Sequence, residues 1–330
     1  MSARGDTVGI VGAGAFGTAL GSVLARAGRR VVLLSRDAAT VEAIRATRRC
    51  PRLPAAPLPE PLEATSDPRY LASQARFVIL AVTSTNVRDR ARELGDVLDG
   101  SHIAVHAVGA LATHGNQRVS QVLELGLPTL KIGAIAGPAL ADDLAEGRLA
   151  SMVVASAFQE VVSEGRRLLN APPALRVYGS KDLIGVELAS ALSGAYVVAL
   201  GLSDGLDVGP GPRAVLITRA VAEASRLGEA AGAEARTFAG LAGLGNLLVR
   251  ANDRSADYQL GRQLVQQPAG AAPADTARTE GARAALAGVE LAAALKIRVP
   301  VLQAVAAVLS GALDPRDVAK LAGDAVAEAE

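Results

Sequence analysis

The chain has 330 residues, of which 50% are hydrophobic and 20% are charged, and its formal net charge is +1. This composition excludes a disordered chain and a nucleic-acid-binding surface, and the length suits two domains because single cores stop growing at about 250 to 300 residues. Cys50 is the only cysteine, which excludes an internal disulfide and a cysteine-based metal cluster. We expect a cytoplasmic protein with no metal site and no membrane span, since no signal-like stretch opens the chain and no apolar run reaches about 18 residues.

The first half of the chain alternates between short apolar runs and amphipathic stretches, the first of which predicts a helix over Ala15–Ala27. Continuous runs of Val, Ile and Leu separated by helical segments are typical of a parallel sheet covered on both faces. We therefore predict an α/β fold with a doubly wound parallel sheet over residues 1–184. The predicted strands are Val8–Val11, Val31–Leu34, Phe77–Val82, Ile103–Val105, Ile132–Ala134 and Met152–Ala155.

The second half of the chain lacks such strands. From Gly185 onward, helical patterns rich in Ala and Leu take over. Pro212 indicates the first turn of a helix, and Asp314 before Pro315 indicates another helix start. We predict an all-α domain over residues 185–330 and a cleft between the two domains.

A glycine motif follows the first predicted strand. Gly12, Gly14 and Gly17 have the spacing G-x-G-x-x-G at the start of the first predicted helix. Gly12 would make the tight turn, Gly14 would let a pyrophosphate approach the backbone, and Gly17 would allow close packing of helix and strand. Ala15 and Phe16 would add backbone N–H groups at the helix N-terminus, where phosphates bind. The motif predicts a Rossmann-type domain that binds a nicotinamide dinucleotide.

The second predicted strand ends in Ser35-Arg36-Asp37. Sites specific for NAD usually place a carboxylate here to bind the ribose 2′-hydroxyl, whereas an arginine accommodates the 2′-phosphate of NADP. Ser35 and Arg36 favour NADP, so the predicted cofactor is NADP or NAD. The alternative for Arg36 is a solvated loop residue without a ligand.

Several longer motifs follow one another along the chain: GAGAFGTAL (Gly12–Leu20), GVE (Gly185–Glu187), GLSDG (Gly201–Gly205), AVLITR (Ala214–Arg219) and TFAGLAGLG (Thr237–Gly245), with the landmarks Gly137-Pro138, Glu280-Gly281 and Pro300. Together they resemble the bacterial NAD(P)-dependent glycerol-3-phosphate dehydrogenases. The resemblance covers nearly the whole chain in order. It implies a homodimeric enzyme that reduces dihydroxyacetone phosphate, with Glu280 among the residues that bind the cofactor.

The same resemblance implies that both catalytic lysines are replaced. Val108 stands at the first lysine position, and Ser193-Gly194 stands where the family has Lys-Asn. Carbonyl reduction needs a cation or an acid beside the oxygen, because negative charge develops there. Neither valine nor serine supplies that charge.

The phosphate-binding and neighbouring positions differ as well. Asn246 replaces an aspartate, Arg250 replaces a threonine, and Ala256-Asp257 replaces an Arg-Asn pair. Loss of one electrostatic stabiliser costs about 10²–10³ in rate, and we expect the Asp257 carboxylate to repel a substrate phosphate.

Other side chains offer substitutes. His106 directly follows the predicted strand Ile103–Val105 and is a candidate proton donor. The alternative is that His106 only caps the end of that strand. Arg250 and Arg254 flank the altered phosphate position and offer either an anion site or a polar turn. His114 is predicted to be an exposed loop residue. None of the lysines falls on a family catalytic position: Lys131, Lys181, Lys296 and Lys320.

Three functions remain open on the sequence. The first is a non-catalytic protein that binds a nicotinamide dinucleotide and acts as a sensor or regulator, because binding and chemistry depend on different halves of the chain. The second is a dehydrogenase rebuilt for another small carbonyl or hydroxy ligand, with His106 as its acid. The third is the family's own reaction.

Overall fold

The computed structural model describes residues 5–55, 57–111, 117–267 and 278–317. They form two compact units. Within the described residues, the first unit contains residues up to 108 together with 117–183, and the second contains 109–111 and 184–317.

The first unit is built around one eight-stranded sheet in the order β3-β2-β1-β4-β5-β6-β7-β8. Neighbouring strands run parallel except β6 and β7. The strands are β1 (Thr7–Val11), β2 (Arg30–Leu34), β3 (Leu62–Thr65), β4 (Phe77–Leu80), β5 (Ile103–His106), β6 (Ile132–Ala136), β7 (Ala150–Ala155) and β8 (Leu175–Ser180). The predicted α/β Rossmann-type class with an all-α C-terminal part is confirmed.

Two details of the sheet differ from the prediction. The antiparallel pairing of β6 with β7, through Ala134↔Ala155 and Ala136↔Val153, makes the sheet mixed rather than all parallel. The sheet also contains β3 and β8, which lie at its two edges and were not predicted from the sequence. Edge strands are weakly apolar, and β8 alternates buried with exposed residues, so neither forms a continuous apolar run.

Where the first unit is described, seven α-helices connect its strands. Asp37 and Asp67 begin α2 and α3 by accepting hydrogen bonds from the backbone N–H groups of Ala39 and Arg69. Gly14 begins α1. The helices are α1 (Ala15–Arg26), α2 (Ala38–Thr47), α3 (Pro68–Gln74), α4 (Val87–Gly95), α5 (Val119–Gly126), α6 (Ala141–Ala145) and α7 (Gln159–Leu169).

The described residues of the second unit form helices joined by loops, without a β-strand. A π-helical turn, Leu241–Gly245, leads into α11. The helices are α8 (Leu183–Gly205), α9 (Pro210–Ala230), α10 (Ala235–Phe238), α11 (Asn246–Arg250), α12 (Ala256–Gln266), α13 (Glu280–Leu295) and α14 (Pro300–Leu309). Helix α9 begins at Pro210 rather than Pro212, because both prolines fit the first turn, where the missing N–H costs nothing. Asp314 begins only a short 3₁₀ turn, Pro315–Asp317.

Helix α8 is the central helix of the second unit. Most of its residues are apolar or small, and Gly185–Ser203 are all buried. Among the described residues, it is the one helix long and apolar enough to cross a membrane. Since 89% of its most apolar window is buried inside the protein, it matches the core helix of a globular domain equally well, and the evidence for a membrane span is weak.

Candidate functional site

The glycine turn between β1 and α1 has the geometry that the motif predicts. Gly12 adopts φ +116°, where residues with a Cβ are strained, and its N–H donates to the carbonyl oxygen of Leu34 at 2.9 Å. A Cβ on Gly12 would overlap the carbonyl oxygen of Ala81, and a Cβ on Gly17 would overlap that of Gly12. The backbone therefore packs too closely here for any side chain.

The middle glycine has a different surrounding. Gly14 adopts φ −74° and ψ 176°, and a Cβ built on it would have no atom within 4 Å. Gly14 has no side chain to cap α1, so it leaves the first-turn N–H groups of Ala15 and Phe16 available to a ligand. The positive end of the helix dipole and an uncovered backbone fit a pyrophosphate, and this site suits NAD or NADP.

Cys50 supports the glycine turn from the interior. Its thiol is buried and lies 3.6 Å from the carbonyl oxygen of Ala13, and it accepts a hydrogen bond from the Thr18 hydroxyl at 3.4 Å. These contacts fix both sides of Gly14. The single cysteine therefore has a structural position under the turn.

At the end of β2, the carboxylate of Asp37 is already used. One of its oxygens accepts from the N–H of Ala39 at 3.0 Å and the other from the Thr40 hydroxyl at 2.6 Å, so it caps α2. The Ser35 hydroxyl accepts from the N–H of Asp37 at 3.2 Å. Arg36 is exposed and donates to Asn86 Oδ1 at 3.2 Å.

In the second unit, Ser193, which the resemblance places at the second lysine position, belongs to a neutral network. The Ser193 hydroxyl donates to the carbonyl oxygen of Ser190 at 2.8 Å and accepts from Asn246 Nδ2 at 2.9 Å. Ser193 and Asn246 are only 3% and 6% exposed. The resemblance places Lys and Asp at these two positions, so a neutral hydrogen bond stands where the family has a pair of opposite charges.

Beside this network lies a small cavity with Ser193 in its wall. Its volume of about 10 Å³ is at the lower limit for one water molecule. Apart from Ser193 and Tyr196 the lining is apolar or glycine: Ala189, Ala220, Val221, Ala224, Phe238, Gly243 and Leu247. The space beside Ser193 is therefore filled by the protein.

Arg250 and Asp257, which the resemblance places at or beside the phosphate-binding positions, form a second pair. Arg250 Nη2 forms an ion pair with Asp257 Oδ2, and the other carboxylate oxygen of Asp257 accepts from the N–H of Gly281 at 2.8 Å. Asp257 belongs to α12 and is 3% exposed. Its carboxylate lies against the N-terminus of α13, where the helix dipole favours an anion. The sequence predicts that the Asp257 carboxylate repels a phosphate. In the structure this carboxylate is paired with Arg250 and accepts from the N–H of Gly281.

Two glycines bring α8 and α13 together at this point. A Cβ on Gly194 would lie 3.1 Å from Cα of Gly281 and 3.2 Å from Arg250 Nη2. A Cβ on Gly281 would lie 2.7 Å from the Asp257 carboxyl carbon. A side chain at Gly194, where the resemblance places an asparagine, would therefore require the backbone at Gly281 and the Arg250 side chain to shift by a few tenths of an ångström.

The remaining candidates have local partners. His106 is 2% exposed at the end of β5, and its Nδ1 accepts from the N–H of Val108 at 3.4 Å, the geometry of a strand-end cap. Val108 is buried. Ala256 is the exposed first residue of α12. Glu280 begins α13 and pairs with Arg283 at 2.7 Å.

The lysines and Arg254 occupy peripheral positions. Lys131 pairs with Glu160 at 3.2 Å, Lys181 is exposed, and Lys296 ends α13 in a left-handed conformation. Arg254 is exposed in a polar turn, where its N–H donates to Asn252 Oδ1 at 2.9 Å. His114 and Lys320 lie outside the described residues.

Sequence reasoning missed two participants, Ser190 and the N–H of Gly281. The three-residue spacing of Ser190 and Ser193 places them on one face of a helix, which is a signal available in the sequence. The backbone donor of Gly281 has no sequence signal, because it depends on how α12 packs against α13.

Comparison with known protein families matches nearly the whole chain. The sequence model of the NAD-dependent glycerol-3-phosphate dehydrogenase N-terminus matches residues 7–162, and that of the C-terminus of the same enzymes matches residues 182–320.

Individual relatives give the same result. The glycerol-3-phosphate dehydrogenase [NAD(P)+] of Rhizobium etli is 36% identical over 94% of this chain and 95% of its own length. The corresponding protein of Thioalkalivibrio sulfidiphilus is 37% identical over 92% of each chain. The crystal structure of glycerol-3-phosphate dehydrogenase from Coxiella burnetii superimposes with a TM-score of 0.88 at 28% identity, covering 95% of this chain and 97% of that one.

Proposed function

Because this chain belongs to the NAD-dependent glycerol-3-phosphate dehydrogenase family, we propose that it binds NAD or NADP without reducing dihydroxyacetone phosphate through the family's catalytic groups. It acts as a non-catalytic, cofactor-binding regulatory protein. The observation that carries this proposal is the pairing of the replaced residues with one another. Ser193 binds Asn246, and Arg250 binds Asp257.

The chemical argument concerns charge. Reduction of a phosphorylated ketone requires a positive or acidic group at the carbonyl oxygen and cations at the phosphate. The Ser193–Asn246 pair is neutral, and the charge of Arg250 is compensated by Asp257. Because the N–H of Gly281 also binds Asp257, an incoming phosphate would have to displace a bound carboxylate to reach these donors.

The cofactor side supports retained binding. Gly12 has the positive φ that the tight turn requires, and no atom lies within 4 Å of a Cβ built on Gly14. Together with the N-terminus of α1, these features fit a pyrophosphate. The family-level cofactor, NAD or NADP, therefore suits this unit. In the second unit, the Ser193–Asn246 pair is neutral and the charges of Arg250 and Asp257 offset each other.

A second candidate function is the family's own reaction. The comparisons favour it, because relatives 36% and 37% identical over more than nine-tenths of this chain are glycerol-3-phosphate dehydrogenases. On this alternative, other groups of this chain must stabilise the carbonyl oxygen. Cytoplasmic location and a homodimer stay predictions under both candidates.

Calorimetry separates the two candidates. NADPH and NADH are titrated into the protein first, and dihydroxyacetone phosphate and glycerol 3-phosphate are then titrated into the cofactor-loaded protein. We expect saturable heat from a dinucleotide and none from either phosphorylated ligand. Saturable binding of dihydroxyacetone phosphate to the loaded protein would favour the family's reaction, and no binding of either dinucleotide would contradict the proposed function.

A further inference from the structure

The Arg250 side chain, on α11, lies against three other segments of the second unit. A Cβ on Gly194 in α8 would lie 3.3 Å from its Nη1 and 3.2 Å from its Nη2, and a Cβ on Gly109 would lie 3.9 Å from its Nη1. On the third side, Nη2 pairs with Asp257 of α12. The resemblance places Gly194, Arg250 and Asp257 at or beside substrate-binding positions, so these positions surround one guanidinium.

Only part of the Arg250 guanidinium is occupied. Asp257 binds Nη2, whereas Nη1 and Nε have no acceptor in the part of the chain that the structure describes. Gly109 and Gly194 carry no side chain that could supply one to Nη1. The Arg250 side chain is 19% exposed, so a small molecule can reach it. Because a guanidinium carries five N–H donors in a planar fork, the pair with one Asp257 oxygen leaves donors for a second anion.

The Asp257 carboxylate limits the charge of an anion that can bind beside it. It is buried, and its two oxygens are fixed by Arg250 and by the N–H of Gly281 at 2.8 Å. Since this carboxylate already offsets the charge of Arg250, it would repel a phosphate dianion. A carboxylate monoanion is repelled less, and its planar shape matches the guanidinium through two parallel hydrogen bonds. The arrangement therefore favours a carboxylate over a phosphate.

Neighbouring side chains add no net charge at this point. Glu280, at the start of α13, pairs with Arg283 at 2.7 Å. The network at Ser193 is neutral. The selectivity for an incoming anion therefore depends on Arg250 and Asp257.

We propose that Arg250, oriented by its ion pair with Asp257, binds the carboxylate group of a small monocarboxylic acid in the second unit. The inference rests on the proposed function and names the class of ligand to which this cofactor-binding protein responds. The ligand is compact, because the guanidinium lies close to the backbone at Gly194 and little of it is exposed. Such a ligand differs in its anionic group from a phosphorylated ketone.

The test is calorimetric titration of protein loaded with oxidised dinucleotide, so that no reduction can occur. The probes are pyruvate, its uncharged analogue pyruvamide and inorganic phosphate. We expect the Kd of pyruvate to be at least about tenfold lower than the other two, as for a charge-assisted bidentate contact. Arg250→Lys keeps the charge without the planar fork and should raise the Kd of pyruvate about tenfold. The matched control Arg254→Lys, at an exposed arginine in the turn before α12, should change it less than about threefold.

A variant that gains binding complements the variant that loses it. Asp257→Asn removes the negative charge beside Arg250 and keeps a hydrogen-bonding side chain of nearly the same size. This change should lower the Kd of inorganic phosphate at least about tenfold, because the repulsion is removed. Gained affinity cannot result from a failure to fold.

Several outcomes would overturn the inference. They are the absence of saturable pyruvate binding, equal Kd values for pyruvate and pyruvamide, equal effects of Arg250→Lys and Arg254→Lys, and an unchanged phosphate affinity in Asp257→Asn. Dinucleotide binding is measured first in the same samples, and its absence would contradict the proposed function instead. In that case the three probes are titrated into the unloaded protein, where the same outcomes decide about the carboxylate site.

Discussion

The glycine turn of the first unit and the α8, α11 and α12 residues of the second unit differ in how far they match the family's motifs. In the turn, every glycine that the dinucleotide motif requires is present, and each has the geometry that the motif implies. In the second unit, the side chains that the resemblance places at catalytic and phosphate-binding positions bond to one another, Ser193 to Asn246 and Arg250 to Asp257. On the proposed function, these pairings preserve helix packing and remove reactive charge, so that binding and chemistry would change separately in one chain.

The largest expected effect comes from the glycine turn. Gly12→Ala should lower the free energy of unfolding by more than ~3 kcal/mol, because a positive φ is combined with overlap on the carbonyl oxygen of Ala81. Gly14→Ala is the matched control for stability, since nothing lies within 4 Å of the added carbon. Gly14→Ala should change the free energy of unfolding by less than ~1 kcal/mol and still weaken dinucleotide binding at least tenfold. Denaturant unfolding and calorimetry measure the two effects, and unchanged cofactor affinity in Gly14→Ala would contradict the assigned role.

The Arg250–Asp257 pair gives the next largest effect. Arg250→Ala should destabilise the protein by ~3 kcal/mol, because it leaves a buried carboxylate with only the Gly281 N–H as partner. In a double-mutant cycle with Asp257→Asn, we expect a coupling energy of at least ~1 kcal/mol. The exposed Arg254→Ala should change stability by less than ~0.5 kcal/mol. Additive single effects in urea unfolding would show that the two residues do not act as a pair.

A lysine at position 193, within the neutral Ser193–Asn246 network, should destabilise the protein. Ser193→Lys should cost ~2 kcal/mol of unfolding free energy, because the ammonium would enter a cavity of about 10 Å³ without a charged partner. Adding Asn246→Asp should recover ~1 kcal/mol by pairing that charge. Thermal and urea unfolding of the single and double variants measure this, with Ser193→Ala as the control for lost hydrogen bonding. A fully stable Ser193→Lys variant would mean that the site is open rather than filled.

The smallest expected effect is a pH dependence at Glu223. Burial raises the pKa of this carboxyl group, against the backbone donors of Val301 and Leu302 and the Tyr196 hydroxyl, which lower it. The native state therefore takes up a proton at higher pH than the unfolded chain does. Its contribution to stability is full below the unfolded pKa and declines as the pH rises through the native pKa. The free energies of unfolding of wild type and Glu223→Gln are measured from pH 4 to 7. The stability of the wild type relative to Glu223→Gln should increase as the pH falls, and a difference that does not change with pH would refute the assignment.

The sequence predicted what depends on local pattern. Apolar runs and the glycine spacing located β1, β2 and α1 because burial on both sheet faces gives a continuous signal. The edge strand β8 was missed because half of its residues face solvent. The antiparallel pairing of β7 has no local signature.

The partners of the replaced residues were beyond sequence reasoning. The resemblance identified Arg250 and Asp257 as unusual, but they belong to different helices, α11 and α12, so helical periodicity could not show that they pair. Their pairing depends on the turn between those helices and on the contact of α13 at Gly281. Those features come from tertiary packing.

The most direct test of the account is oxidation of NADPH with dihydroxyacetone phosphate at high protein concentration, with the Rhizobium etli glycerol-3-phosphate dehydrogenase [NAD(P)+] assayed alongside. Since several charged groups are replaced at once, the account predicts a rate at least ~10⁴-fold below that of the relative, in protein that binds the dinucleotide. A rate within tenfold of the relative would contradict it and establish the family's reaction for this chain.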